Sequence, residues 1–293
     1  MHIGFIGLGL MGAPMVRRLH AAGLPLTVWN RSPEKAAALA GDGIAVAETP
    51  AELAQACDVV MLCVADTEAV RAVVFGEHGV AQGGTPGKVL VDFSSIAPAG
   101  TREMAEHLLA QCGMHWIDAP VSGGVPGARD GTLAIMAGGD AALIESLRPV
   151  FAPLCRQLTR VGDTGAGQVA KVCNQMIVGV NALVIAEVVA LAEKAGVDAA
   201  QLPVAFAGGF ADSRPLQILA PRMAARAFEP VAWKVRTLLK DLDNARLLAG
   251  ETGATVPVSE CAAALMRTHG EQGFLDADPS TLVLSAVQRR TAS

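Results

Sequence analysis

The first half of the chain alternates two hydrophobic rhythms. Short apolar runs, bounded by glycine or polar residues, occupy residues 2–7, 24–30, 58–64, 88–94 and 114–120. Runs of this kind are the pattern of strands buried on both faces. Between them, residues 11–22, 66–75 and 98–111 place apolar side chains at helical spacing. Helix starts are marked too. Ser32-Pro33 sets a capping hydroxyl before a proline at the first helical position, and Thr49-Pro50-Ala51-Glu52 has the spacing of a capping box. A further strand-helix-strand stretch covers residues 132–161. The alternation predicts an α/β domain with a parallel, doubly wound sheet.

The rhythm changes after Gly162. Residues 164–195 predict one long helix closed by Gly196, and everything beyond reads helical, over 198–208, 213–226, 231–251, 257–271 and 279–290. The pattern predicts an α/β domain over residues 1–163 and an all-helical domain over 164–293, with the long helix joining them. Residues 172–192 are apolar enough to be weighed as a membrane span, since Glu187 is their only charge. Asn174, Gln175 and Asn181 within the run, and the lack of a second span, favour a helix central to a larger protein and no membrane role.

Composition narrows the function. At 293 residues the chain has room for two ordinary domains. Hydrophobic residues make up 52% and charged residues 17%, which excludes intrinsic disorder. There is no tyrosine, so enzymes built on a tyrosine proton relay are excluded. A net charge of −5 disfavours nucleic acid as a partner. The six cysteines form no CxxC pair and the six histidines are dispersed, which points to reduced thiols in the cytoplasm and to no metal site. No targeting signal is read at the N-terminus. Arg289-Arg290 reads as a solvated tail.

The strongest chemical signal is the segment GFIGLGLMGAPM at residues 4–15. Gly7, Gly9 and Gly12 have GxGxxG spacing, follow a strand and open a helix. Gly7 permits a tight turn, Gly9 lets backbone approach a pyrophosphate, and Gly12 allows close helix packing, with Leu8, Leu10 and Met11 completing the loop. The helix N-terminus offers N–H groups to phosphate. At the end of the second strand, Trp29-Asn30-Arg31-Ser32 carries no carboxylate to hold a ribose hydroxyl. Arg31 suits a 2′-phosphate, which favours NADP with NAD as the alternative; a solvated surface arginine is the plain reading. Ser122-Gly123-Gly124 can present N–H groups and a hydroxyl to a small carboxylate, or form an ordinary glycine turn. Lys171, Asn174 and Gln175 share one helix face. The lysine is either a general acid/base beside an orienting amide or a side chain reaching solvent from the helix edge.

Taken together, GLGLMGAPM, DAPVSGG (118–124), GTLAIMAGG (131–139), GDTGAGQVAKVCNQ (162–175) and LLKDLDNA (238–245) resemble the β-hydroxyacid dehydrogenase family over essentially the whole chain. The Lys-x-x-Asn-Gln form is most similar to that of the tartronate semialdehyde (2-hydroxy-3-oxopropionate) reductases. The resemblance implies a Rossmann-type domain followed by an all-α domain, joined by a long helix. It implies that Gly7, Gly9, Met11 and Gly12 hold the pyrophosphate. Asn30, Arg31 and Ser32 would face the adenosine ribose, and Val64, Ala65 and Asp66 would line the cofactor. Ser95 would sit near the nicotinamide ribose. Ser122, Gly123 and Gly124 would bind a substrate carboxylate. Lys171 would be the catalytic acid/base, Asn174 its amide neighbour, and Lys240 would reach the cofactor side of the cleft. Gln175 and Trp233 depart from the family pattern of Asn and Phe, which puts substrate contacts there in question. The implied activity is reversible hydride transfer between NADP(H) and a short 3-hydroxy acid or its semialdehyde, in a homodimer or homotetramer.

Overall fold

The computed structural model describes residues 1–41 and 43–288; the Arg289-Arg290 pair and the end of the last predicted helix lie outside them. The strands are β1 (Ile3–Ile6), β2 (Leu26–Trp29), β3 (Ala45–Val46), β4 (Val59–Leu62), β5 (Val89–Asp92), β6 (His115–Asp118), β7 (Val121–Ser122), β8 (Leu133–Gly138) and β9 (Cys155–Gly162). They form one sheet in the order β3-β2-β1-β4-β5-β6-β8-β7, with β9 pairing β8. The first six strands are parallel, in the 3-2-1-4-5-6 order of a Rossmann fold. β8 runs antiparallel to β6 and β7.

Strand alternation sorts this sheet into two buried faces. Phe5, Val28, Met61, Val91 and Ile117 face a core closed by Met15, Leu19 and Phe151. Ile6, Val60, Leu62, Leu90 and Trp116 face another, closed by Leu53, Val74 and Met104. The strands read as continuous apolar runs because both faces are covered by helices. Predicted site residues follow the C-terminal ends of β1, β2, β4 and β5, which the parallel arrangement brings to one edge.

The chain divides into two compact units, the first Met1–Lys171 and the second beginning at Val172. The long helix spans Ala166–Lys194 and is the one described helix whose length and composition would suit a membrane crossing. Its Ala182, Ile185, Ala186 and Val189 pack with Leu219, Met223, Leu242, Met266 and Val283 in the core of the second unit. Gly196, at φ +78°, ends it as expected. The later helices are Leu202–Phe206, Arg214–Ala224, Val235–Thr252, Pro257–His269 and Leu282–Gln288.

Several local expectations shift. The helix expected from 231 starts at Val235, and the one expected over 198–208 divides into a 3-10 turn and a short helix. Four short elements had no clear sequence pattern: β3, β7 and the helices Val80–Gly83 and Gly124–Asp130. Thr49 Oγ1 accepts the Glu52 N–H at 3.1 Å as a capping box requires, but Glu52 reaches back to the N–H of Glu48, not Thr49. Ser32 sits at the cap of Pro33–Ala40, yet its hydroxyl makes no capping bond.

The second unit also buries a polar chain. Thr281 Oγ1 donates to the Asp278 carbonyl at 2.7 Å, so it must accept from His269 Nε2 at 2.9 Å. His269 Nδ1 is then the acceptor for Ser285 Oγ at 2.7 Å. Phe274 stacks on the ring. Burial holds His269 down at about 4, so it is a neutral structural group.

Candidate active site

The glycine loop occupies the turn between β1 and the helix Gly12–Ala21. Its three glycines are there for different reasons. Gly7 has φ +95°, and a side chain on it would run into the carbonyl of Cys63. A side chain on Gly12 would strike the carbonyl of Gly7. A side chain on Gly9 would meet no protein atom within 4 Å. The first two glycines let the protein close on itself; the third leaves room for something else. Met11, at the helix N-cap, contributes no side-chain capping bond. The loop thus offers an open backbone surface at a helix start that the chain's own side chains do not cap, which fits a pyrophosphate. Leu8 is buried and Leu10 lies out in solvent.

The loop is braced by a residue expected to face the ribose. Asn30 Oδ1 accepts the Leu8 N–H at 2.8 Å, and its Nδ2 donates to the Ser32 carbonyl at 3.0 Å. Gly7 N–H adds a bond to the Trp29 carbonyl at 3.1 Å. Asn30 therefore ties the glycine loop to the end of β2. Arg31 beside it is exposed.

After β4, Val64 N–H donates to Ser94 Oγ at 3.0 Å, which links the Val64–Asp66 loop to the loop after β5. Ala65 and Asp66 are exposed. Asp66 Oδ1 caps the helix Thr67–Phe75 through the Ala69 N–H at 2.9 Å, a structural role the sequence reading did not assign. Ser95 is half-buried. Ser122 closes β7, and Gly123 and Gly124 follow with φ of +131° and +61°. Two successive positive values explain the paired glycines. No side chain caps the helix that begins at Gly124.

Two buried acids lie beneath these loops, opposite each other on β5 and β6. Asp118 accepts the N–H groups of Gly165 at 2.7 Å and Gln168 at 2.9 Å. Burial raises its pKa, opposed by those backbone bonds. Burial pushes Asp92 up to about 7, against hydrogen bonds from Ser94 and with the charge of Asp118 adding to the rise. Asp92 Oδ2 is buried without a hydrogen-bond partner.

Lys171 and Asn174 are half-buried on the long helix, three residues apart and on one face. Asn174 Oδ1 is buried with no hydrogen-bond partner. An unsatisfied buried acceptor is costly, so it marks a place where an outside donor is expected. Gln175 does something else. Its Nε2 donates to Asp241 Oδ2 at 2.6 Å, and Lys240 Nζ stands 3.5 Å from Asp241 Oδ1. Gln175 thus braces the buried acid beside Lys240. Trp233 packs, half-buried, against the core of the second unit.

The sequence reading missed Asp118, Gln168 and Asp241. Asp118 and Gln168 are polar residues set among apolar ones, while Asp241 stands in the polar stretch 240–244 with no local sign that sets it apart. Among the described residues, no group of three or more His, Cys, Asp or Glu is placed to hold a metal.

Two family models match this chain. One describes the NAD-binding domain of 6-phosphogluconate dehydrogenase and matches residues 2–162. The other describes the NAD-binding region of NADP-dependent 3-hydroxyisobutyrate dehydrogenase and matches residues 165–285. The chain is 40% identical to a 2-hydroxy-3-oxopropionate reductase of Escherichia coli K12, over 97% of its own length and 96% of that protein's. Among solved structures it is similar to the 3-hydroxyisobutyrate dehydrogenase of Mycobacterium tuberculosis with L-serine, at TM-score 0.87 and 33% identity, covering 97% of this chain and 99% of that one. A protein called Psf3, in complex with NADP+ and 2-OPP, matches at TM-score 0.87 and 28% identity with the same coverage.

Proposed function

The chain belongs to the β-hydroxyacid dehydrogenase family of NAD(P)-dependent oxidoreductases, and on that premise we propose that it is an NADP(H)-dependent reductase of a short semialdehyde such as 2-hydroxy-3-oxopropionate. The observation that carries the reading is the pair Lys171 and Asn174, with the buried, unpartnered acceptor on Asn174. A hydroxyl of a hydroxy acid is the donor that this atom lacks.

The glycine loop, Asn30-Arg31-Ser32, Val64–Asp66, Ser95 and Lys240 would hold the dinucleotide. When bound, its nicotinamide supplies the hydride for reduction and accepts it in oxidation. In reduction Lys171 Nζ gives its proton to the oxygen of the former aldehyde, and in oxidation it takes that proton back. Asn174 orients the reacting molecule through its amide. The Ser122–Gly124 turn holds the carboxylate with backbone N–H groups and the Ser122 hydroxyl, which sets the distance from carboxylate to reacting carbon. Arg31 favours NADP(H), since its guanidinium is exposed and the segment Trp29–Ser32 at this strand end carries no carboxylate to repel a 2′-phosphate.

We also assign the protein to a homo-oligomer. Ile177, Val184 and Leu191 lie exposed at seven-residue spacing along the long helix, the pattern of a helix face that packs against another.

The deciding assay follows absorbance at 340 nm with tartronate, methylmalonate and succinic semialdehydes, each with NADPH and with NADH. A rate on tartronate semialdehyde that prefers NADPH is expected. Preference for methylmalonate semialdehyde with NADH would replace this reading with that of a 3-hydroxyisobutyrate dehydrogenase. No rate with any pair would defeat it.

A further inference from the structure

The long helix begins one turn before Lys171, and its start is held by contacts that reach far across the sequence. Asp118, at the end of β6 and fully buried, accepts two N–H groups from that first turn, those of Gly165 and Gln168. It does the work of an N-cap residue from 47 positions upstream of Gly165. Space is made for it by glycines. A side chain on Gly138 would come within 2.6 Å of Asp118 Oδ1, and one on Gly167 within 2.8 Å of Oδ2.

Gln168 adds a second grip. It is fully buried, and its amide straddles the loop after β5: Nε2 donates to the Ser94 carbonyl at 2.8 Å, and Oε1 accepts the Ile96 N–H at 3.2 Å. The residue between those two backbone groups is Ser95. One amide therefore holds the backbone on both sides of Ser95. Ser94 in turn accepts the Val64 N–H, so the loop after β4 joins the same network. Lys171 follows Gln168 by three residues and shares its side of the helix.

We propose that Asp118 and Gln168 are positioning residues: they seat the first turn of the long helix on the Ser94–Ile96 loop and so set where Lys171 stands relative to Ser95. Asp118 fixes the helix along its axis, and Gln168 fixes its rotation and the loop together. Neither touches the reacting atoms. The proposal rests on the reading of Lys171 as the proton donor, and it gives that reading a mechanical basis. Displacing a reacting group by about 1 Å can cost on the order of 100-fold in rate, so a small rotation of this turn is enough to matter.

The test is Gln168→Met, which keeps length and packing but removes both hydrogen bonds, studied in the full chain with Asp118 intact. Hydrogen exchange on the cofactor-free protein should show residues 94–97 exchanging roughly ten times faster or more, with β1 and the later turns of the long helix unchanged. In NADPH-dependent turnover, kcat should fall about 10- to 100-fold with little change in KM, and the isotope effect with 4-deuterated NADPH should rise as hydride transfer becomes limiting. A lower melting temperature with unchanged kcat would overturn the proposal, because that is what a purely structural residue would give. Unchanged exchange at 94–97 would overturn it too. Should Gln168→Met not fold, Gln168→Asn keeps an amide that reaches only one of the two partners. Smaller changes in the same direction would support the proposal, and wild-type behaviour in both readouts would overturn it. A wild-type chain that turns over no semialdehyde defeats the functional reading alone, and the exchange experiment then decides whether the grip exists.

Discussion

In the α/β unit, the groups that face the proposed ligands are mostly backbone. The glycine loop and the Ser122–Gly124 turn present N–H groups, and side chains such as Asn30 and Asp66 brace or cap the loops. In the helical unit they are side chains, Asn174 and Lys240, with Gln175 and Asp241 fixing the acid beside the lysine. A helix interior has no spare backbone donors, so chemistry there must come from side chains; a strand-to-helix turn has them in plenty. The two units also bury titratable groups of opposite kind. Asp92 is raised to about 7 and His269 lowered to about 4, each because burial disfavours its charged form.

The largest effect is expected from one side chain, Lys171, the last residue of the α/β unit. Lys171→Ala is expected to lower kcat by about 10²–10⁴-fold while leaving the dissociation constant of NADPH, read by fluorescence titration, nearly unchanged. Full activity in that variant would shift the proton transfer to another group. Next comes the contrast between the buried groups. Below about pH 4, Asp92 is protonated both folded and unfolded and its contribution to stability is complete; as pH rises to about 7 that contribution is lost, by at most about 4 kcal/mol. Asp92→Asn should therefore gain on wild type as pH climbs from 4 to 7, read from denaturant midpoints. His269 runs the other way: its stabilising effect is present above pH 6.5 and is lost as pH falls toward 4. Scanning calorimetry across this window should show His269→Gln growing less unfavourable relative to wild type toward acid. Parallel slopes for the two variants would break the comparison.

The backbone half is sharpened by its glycines. Gly12→Ala pushes a methyl against the Gly7 carbonyl and should cost about 1–3 kcal/mol of stability. Gly9→Ala meets no protein atom, so its melting temperature should hold while NADPH binding weakens. A destabilised Gly9→Ala would mean the loop needs that glycine for itself. The smallest effect is expected at the surface. Arg31→Ala should raise the KM for NADPH about tenfold and leave that for NADH alone, since one charge-assisted bond is lost only with the 2′-phosphate.

The sequence by itself determined the strand-helix alternation of the first half, the glycine loop, the long helix and the face shared by Lys171 and Asn174. All of these rest on interactions within a few residues: alternation of apolar runs, helical spacing, turn chemistry and capping. The same local logic located Asn30 and Gln175, and the family resemblance Asp66, but not their roles as brace, tether and cap. Only the tertiary structure decided which polar residues answer one another across long separations. Asp118 meets Gly165 at 47 residues' distance, Gln168 meets Ser94 at 74 and Gln175 meets Asp241 at 66. Such pairs leave no periodic trace in a single chain. Burial makes each of them necessary, because a polar group taken out of water must find its partner wherever the fold brings one.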